Sequence, residues 1–125
     1  MEPLKIAAGF HTPSVTFDPE AGVFELAGKS LPEDVIEFYT PVLDWLDQYK
    51  DNPNPESHFV FRLEYFNTGS SKMLLDMMLR LQAMVSDTHD LRITWYYLEE
   101  DEAMLEAGEE YEEILLVPFE LKQGK

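Results

Sequence analysis

A strand, a helix and a second strand in the middle of this 125-residue chain constrain its fold more than any other feature. Residues 58–66 and 90–98 alternate apolar with polar or mixed side chains, which is the period of a β-strand with one buried face. Residues 72–87 between them repeat apolar side chains at helical spacing. This unit predicts parallel strands joined by a right-handed crossover, and the alternation predicts that helices cover mainly one face of the sheet.

Turn and capping residues divide the rest of the chain into shorter elements. Asp18–Gly22 separates two β-prone runs as in a hairpin, and Gly28 is expected to end the second run. Ser30–Glu33 has the Ser-x-x-Glu form of a capping box, which predicts the start of a helix. Pro41 lies inside that helix and predicts either a kink or two short helices joined there.

These elements extend the central unit to the order β-β-α-β-α-β-α-β. The additional strands are predicted at 14–17, 23–26 and 114–121, and the additional helices at 35–49 and 101–111. Gly108 is expected to interrupt the last helix, and Pro118 is consistent with an edge strand. The sequence therefore predicts an α/β fold, a small mixed β-sheet with helices packed mainly on one face, in a single domain that spans residues 1–125.

The charge of the chain argues against several kinds of partner. Its 25 acidic and 9 basic side chains give a formal net charge of -16, which repels phosphate backbones and anionic lipids. No nucleic-acid or membrane partner is therefore expected. The sequence has no run of 18 apolar residues, and its first ten residues lack the features of a signal peptide, so a cytoplasmic protein is predicted.

Motifs for catalysis or metal binding are absent from the sequence. The chain has no cysteine, and its three histidines (His11, His58 and His89) are not spaced to share a helix face or a strand pair. Neither a phosphate-binding P-loop nor a dinucleotide-binding glycine motif occurs. We therefore expect no catalytic residue, no metal site, no cofactor and no enzymatic activity.

Two further clusters have structural interpretations. The acidic residues between 99 and 113 are interpreted as the solvated face of a helix, with a docking surface for a basic partner as the alternative. They lack the register of a calcium-binding loop. Met73, Met77, Met78 and Met84 match the helical period and are interpreted as core residues, with an adaptable docking face as the alternative.

The corner after the first long strand carries the strongest functional signal. Thr68, Ser70 and Ser71 place three hydroxyl groups at the entrance to a helix, where the oxygen of Thr68 or Ser70 is expected to cap a first-turn amide. A phosphate on Thr68 would lie beside unpaired amides and the positive end of the helix dipole, with Lys72 one turn later. Asn67 is expected to shape the backbone of the corner.

Sequence blocks along most of the chain resemble the SiaC-type family of bacterial regulatory phosphoproteins. The blocks are Thr12–Val15, Gly28–Glu33, Pro41–Leu46, Leu63–Lys72, Trp95–Tyr97 and Glu106–Glu110. Each block alone is weak, and their order and spacing together are specific. The family motif at the corner is Tyr/Phe-hydrophobic-Asn-Thr-Ser-Ser. Thr68 matches the modified threonine of that motif, and Gly69 stands where serine is common.

The resemblance implies a fold like that of anti-sigma-factor antagonists of the STAS type and a role in a partner switch. A cognate protein kinase would phosphorylate Thr68, and a PP2C-type phosphatase would remove the phosphate. The unmodified protein would bind and activate a GGDEF-type diguanylate cyclase, which raises cyclic di-GMP and favours aggregation or biofilm growth. The residues expected around the phosphosite and in partner binding are Tyr65, Asn67, Gly69, Ser70, Ser71 and Lys72.

The residues alone leave two other functions open. A small-molecule-binding module or a small enzyme would use Arg62, Glu64 and the acidic segment 99–113. A constitutive scaffold subunit would bind its partner irrespective of substitutions at Thr68. Ligand-induced thermal stabilisation would favour the first function, and binding that ignores Thr68→Asp would favour the second.

Overall fold

The structure is a computed structural model that describes residues 1–124. Its elements are β1 (Leu4–Ile6), β2 (Ser14–Asp18), β3 (Val23–Ser30), α1 (Val35–Tyr49), β4 (Glu56–Phe66), α2 (Thr68–Gln82), β5 (Asp90–Tyr97), α3 (Glu102–Ile114) and β6 (Phe119–Gln123). The predicted order of strands and helices is confirmed, with β1 added in front. With only three residues, β1 is too short to show a period in the sequence.

All six strands form one sheet, in which the spatial order is the chain order. β1, β2 and β3 are antiparallel neighbours, whereas β3, β4, β5 and β6 run parallel to one another. Each parallel connection contains one helix and steps to the next strand in the same direction, so right-handed crossovers place all three helices on one face. The predicted mixed sheet with helices on one face is confirmed.

Aromatic rings from three strands and α1 form the centre of the core. Phe24 stacks on Phe59 with the ring centroids 4.5 Å apart, and Trp45 stacks on Tyr49 at 5.1 Å. The ring of Phe17 lies 5.3 Å from those of both Trp45 and Phe59. Because each such ring removes a large apolar surface from water, this cluster fixes α1 against the first half of the sheet.

The methionine-rich helix α2 also packs into the core. Met77 and Met78 are fully buried, and Met73 and Met84, which lies two residues beyond the end of the helix, are partly buried against the same cluster. Their interpretation as core residues is therefore confirmed. The opposite face of the sheet has no helix over it within residues 1–124 and carries mixed side chains: Thr16, Glu25, Ala27, His58, Val60, Arg62, Thr94, Tyr96, Glu120 and Lys122.

The predicted capping box at Ser30–Glu33 is wrong. β3 continues through Gly28, which adopts φ +107° beside a register shift against β4, and it ends at Ser30. Asp34 caps α1 instead, and its Oδ1 accepts a hydrogen bond from the N–H of Glu37 at 3.0 Å. Gly28 distorts the strand locally without ending it, because glycine tolerates this backbone conformation.

The boundaries of α1 and α2 also differ from the predictions. α1 is one continuous helix across the exposed Pro41, so two short helices are excluded. α2 begins at Thr68, four residues before the predicted start, and ends at Gln82, well before the predicted end near residue 87.

Among the helices of residues 1–124, none has both the length and the apolar character needed to cross a bilayer.

Gly108 does not interrupt α3, which continues to Ile114 and delays the start of β6 to residue 119. A Cβ atom at Gly108 would lie 2.5 Å from side-chain atoms of both Trp95 and Leu121. The glycine therefore permits close packing of α3 on the sheet, which is a different role from the predicted break.

Candidate functional site

Thr68 is the first residue of α2 and is exposed to solvent. It follows β4 after a single residue, Asn67, whose backbone is extended at φ -88° and ψ 175°. The strand thus delivers the threonine directly to the N-terminus of the helix. This is the position at which the sequence predicts that the hydroxyl meets free amides.

Asn67 is the N-cap of α2. Its Oδ1 accepts a hydrogen bond from the N–H of Ser70 at 2.9 Å, and its carbonyl accepts one from the N–H of Ser71 at 2.9 Å. Its own N–H donates to the carbonyl of Ser30 at 3.1 Å, which ties the corner to the end of β3. The expectation that Thr68 or Ser70 caps the helix is wrong, because the helix begins one residue after the asparagine.

The first turn of α2 presents amide groups that lack an acceptor. Within residues 1–124, no acceptor bonds the backbone N–H of Thr68 or of Gly69. α1 has Glu37 and α3 has Glu102 in the first turn, whereas the first turn of α2 contains no acidic residue. The positive end of this helix dipole is therefore not compensated by a carboxylate of its own.

Residues close to Thr68 in the sequence provide a cation and an exposed aromatic ring. Lys72 lies one turn further along α2, on the same side of the helix as Thr68, and is exposed. Tyr65, near the end of β4, has 55% of its surface exposed. A Cβ at Gly69 would make an ordinary 3.5 Å contact with Val35 of α1, so a serine would fit there without strain.

Ser70 lies inside the protein and not on the expected partner-binding surface. Its side chain is fully buried, and its hydroxyl donates to the carbonyl of Ser30 at 3.0 Å while accepting from the Ser30 hydroxyl at 2.8 Å. Ser30 Oγ also lies 2.5 Å from the hydroxyl oxygen of Tyr39. Burial raises the pKa of Tyr39, so the phenol remains protonated and can donate to this chain of hydroxyls.

The helical period contains a signal for the burial of Ser70 that the sequence-based prediction missed. Ser70, Leu74 and Leu81 lie on one stripe of α2, and all three are buried. Thr68 lies off that stripe. The hydrogen bonds to Ser30 could not be foreseen, because 40 residues separate the two serines.

Ser71 connects the corner to α3. Its hydroxyl donates to the carbonyl of Thr68 at 2.8 Å, and its carbonyl accepts a hydrogen bond from Tyr111 Oη at 2.9 Å. Burial raises the pKa of Tyr111 and the nearby carboxylate of Glu110 raises it further, so the phenol remains a donor at neutral pH.

The structure brings together only some of the residues that a small-molecule-binding module or small enzyme would use. Arg62 and Glu64 line a half-open groove of about 760 Å³. The guanidinium of Arg62 lies 3.8 Å from the ring centre of Tyr96, and its Nε donates to Glu25 Oε2 at 3.0 Å. Of the acidic segment 99–113, Asp101 is the one residue that the structure places in the lining of this groove.

The remaining candidate clusters have structural roles. Asp101 caps α3 by accepting a hydrogen bond from the N–H of Met104 at 3.0 Å, and Glu102, Glu106, Glu109 and Glu110 are exposed along the helix. The structure thus supports the interpretation of a solvated acidic face. Within residues 1–124, no group of three His, Asp or Glu side chains could hold a metal ion.

The histidine on the uncovered face of the sheet is held by its neighbours. Nε2 of His58 lies 2.6 Å from Thr94 Oγ1. Burial lowers the pKa of His58, and the nearby charge of Arg92 lowers it further. This histidine therefore has a structural explanation in the contacts between neighbouring strands.

Comparisons with known proteins agree with this architecture. A model described as SiaC family regulatory phosphoprotein matches residues 6–124. The crystal structure of apo-SiaC from Pseudomonas aeruginosa is similar, with a TM-score of 0.87 and 27% identity over 98% of this chain and 99% of that one. SiaC in the crystal structure of the diguanylate cyclase SiaD with its activator SiaC, from the same organism, gives a TM-score of 0.88 and 27% identity over 97% and 99%. An uncharacterized protein of P. aeruginosa strain UCBPP-PA14 is 28% identical over 98% of this chain and 97% of its own length.

Proposed function

Because the chain belongs to the SiaC family of regulatory phosphoproteins, we propose that it is a partner switch controlled by phosphorylation of Thr68. A cognate kinase adds the phosphate, and a PP2C-type phosphatase removes it. The unmodified form binds and activates a diguanylate cyclase, and the similar SiaC of P. aeruginosa, which is the activator of the cyclase SiaD, supports this role. The output is then cyclic di-GMP signalling and aggregation or biofilm growth.

The observation that carries the proposal is the environment of the Thr68 hydroxyl. The residue is exposed and stands at a helix N-terminus whose first two amides lack acceptors in the described chain. A phosphate adds about -1.5 to -2 charges and three strong acceptor oxygens, which suit such amides. Lys72 supplies a cation within one turn. The other two helices already have a carboxylate where this one would receive a phosphate.

Phosphorylation of Thr68 would release the partner because it changes the charge of the surface that the partner contacts. Gly69 and Lys72 of the first turn offer a backbone and a cationic contact for the partner, and the exposed Tyr65, three residues before Thr68, offers an aromatic one. A doubly charged group placed in that interface must lose its hydration, and the helix amides and Lys72 of its own chain offset only part of this cost. The resulting penalty is about 2 kcal/mol or more, which corresponds to a loss of affinity of about 30-fold or more.

Residues 1–125 act as a single regulatory domain that has no catalytic residue and needs no cofactor or metal. The protein acts in the cytoplasm, where the kinase, the phosphatase and the cyclase would meet it. The net charge of -16 supports protein partners over nucleic acid or anionic membranes.

The experiment compares two charge insertions at exposed threonines. Thr68→Asp places a carboxylate at the start of α2, after the C-terminal end of β4, and Thr88→Asp places the same charge in the turn before the N-terminal end of β5. The two sites are about 30 Å apart from the length of the strands between them. We expect Thr68→Asp to lose binding and activation of a diguanylate cyclase from the same organism, whereas Thr88→Asp and Thr68→Ala retain both.

Intact-mass spectrometry of the protein purified from its own cells completes the test. The expected result is a phosphorylated fraction whose phosphate maps to Thr68 and disappears in Thr68→Ala. Equal binding of the cyclase by Thr68→Asp and the wild type would refute the switch. A phosphate mapped only to other residues would refute the site.

A further inference from the structure

The outer edge of β6 is an unpaired strand edge. β6 is the last strand of the sheet, and no strand within residues 1–124 pairs with its outer side. On the inner side, the N–H of Ile93 donates to the carbonyl of Pro118 at 3.0 Å, and the N–H of Gly124 donates to the carbonyl of Tyr97 at 2.9 Å. These bonds show that the even-numbered residues from 118 to 124 direct their backbone groups towards β5.

The odd-numbered residues of β6 consequently direct their backbone groups outward. Successive residues of a strand bond to opposite sides, so the N–H and C=O groups of Phe119, Leu121 and Gln123 face the free edge. Such a row is a template for another strand. The side chains of Glu120 and Lys122 are exposed on the face that the helices leave uncovered, so no helix stands over them.

We propose that β6 pairs with β6 of a second copy of this chain, antiparallel, about a two-fold axis at Leu121. In this register the outward groups of Leu121 bond to those of Leu121 in the second copy, and Phe119 bonds to Gln123 of that copy. Glu120 then faces Lys122 of the second copy in a close, non-hydrogen-bonded pair, and the symmetry repeats this pair. The result is a continuous twelve-stranded sheet with all helices on one face.

The charges on β6 select this register over its neighbours. An axis at Glu120 would oppose two glutamates, and an axis at Lys122 would oppose two lysines, whereas the axis at Leu121 creates two opposite-charge pairs. The same axis brings two half-buried leucines side by side on the helix-covered face. Charge and apolar contact therefore favour one self-complementary arrangement.

The net charge of the chain works against any self-association. Each copy carries a formal charge of -16, and the acid-rich α3 packs over β5 and β6, so the two α3 helices would lie about 10 Å apart in the dimer. At about 0.3 M salt the screening length falls to about 6 Å. This salt weakens the repulsion between the α3 helices more than it weakens the attraction between the adjacent Glu120 and Lys122 side chains. We therefore expect a weak dimer that is best observed at that salt concentration.

The test uses charge reversal and complementation in the full, unphosphorylated chain. Sedimentation velocity up to about 0.5 mM gives the dimerisation constant. Glu120→Lys alone opposes lysines in the homodimer and Lys122→Glu alone opposes glutamates, so each should weaken dimerisation by about tenfold or more. A mixture of the two variants restores both opposite-charge pairs in the heterodimer, and the double variant restores them in its homodimer.

Cross-linking checks the register. Because the natural chain has no cysteine, a mixture of Glu120→Cys and Lys122→Cys should form a disulfide between the two variants faster than either forms one with itself. A monomer at every concentration would overturn the proposal. Dimers that are unaffected by charge reversal, or that are not restored in the mixture, would overturn the proposed register and with it the interface.

Discussion

Asn67→Ala tests whether the corner that presents Thr68 depends on a single capping hydrogen bond. The substitution removes Oδ1, the acceptor for the N–H of Ser70 at 2.9 Å in a half-buried position. Loss of an asparagine N-cap lowers the free energy of unfolding by about 1 kcal/mol, within a range of about 0.5–2. For a domain of this size we expect a fall in Tm of about 4 °C for each kcal/mol.

Two neighbouring variants isolate the cap from other effects. Thr68→Ala lies one residue further on, is exposed, and removes a side chain that accepts no hydrogen bond from the described helix. We expect its free energy of unfolding to remain within about 0.5 kcal/mol of the wild type. Asn67→Asp keeps an acceptor and adds a charge that a helix N-terminus favours, so it should recover most of the lost stability.

Urea denaturation followed by far-UV circular dichroism measures all three variants at neutral pH. The m-value should stay constant, so that the midpoint reports stability alone. If Thr68→Ala lost as much stability as Asn67→Ala, the threonine and not the asparagine would be the cap. An Asn67→Asp variant as unstable as Asn67→Ala would likewise contradict a capping role for the Asn67 side chain.

Three further perturbations follow from buried contacts. Ser70→Ala removes a partner of the Ser30 hydroxyl and should lower the free energy of unfolding by about 1–3 kcal/mol in urea titrations, more than Thr68→Ala. Gly108→Ala should also be destabilising, by about 1–3 kcal/mol in the same assay, because its Cβ meets Trp95 at 2.5 Å and this overlap exceeds the gain in helix propensity. The raised pKa of Tyr111 means that the folded protein retains the phenolic proton to higher pH than the unfolded chain. This stabilisation is complete below about pH 10 and is lost above it, so denaturation midpoints measured from about pH 9 to 11 should fall more steeply for the wild type than for Tyr111→Phe.

The sequence predicts the elements whose hydrophobic period is long and regular. β4, α2 and β5 follow directly from alternation or from helical spacing, and with them the parallel pairing and the helices on one face. The position of Thr68 at a helix entrance follows from the same boundary. β1 could not be predicted, because three residues contain no period and gain their structure only by pairing with β2.

The remaining differences arise where tertiary contacts decide between local alternatives. Asn67, Thr68 and Ser70 are all good capping residues, and the sequence alone does not determine which of them the end of β4 places at the cap. The local sequence predicts that Ser30 caps a helix. In the structure, pairing with β4 extends β3 as far as Ser30, and the Ser30 hydroxyl donates a hydrogen bond to the Ser70 hydroxyl. The local sequence predicts that Gly108 interrupts a helix. Its actual role is to permit close packing on Trp95, which lies in a different part of the chain.

The position of α3 has a consequence for the behaviour of the whole molecule. Through Tyr111, this helix donates a hydrogen bond to the carbonyl of Ser71, three residues after Thr68. At Gly108, the same helix packs closely on Leu121 of β6 at the edge of the sheet. Close-packed contacts of this kind transmit displacements instead of absorbing them. If the covalent state of the threonine moves this helix, then modification and assembly of the protein become linked equilibria. Thermodynamic reciprocity would then require assembly to shift the balance between the modified and unmodified forms by the same factor as modification shifts assembly.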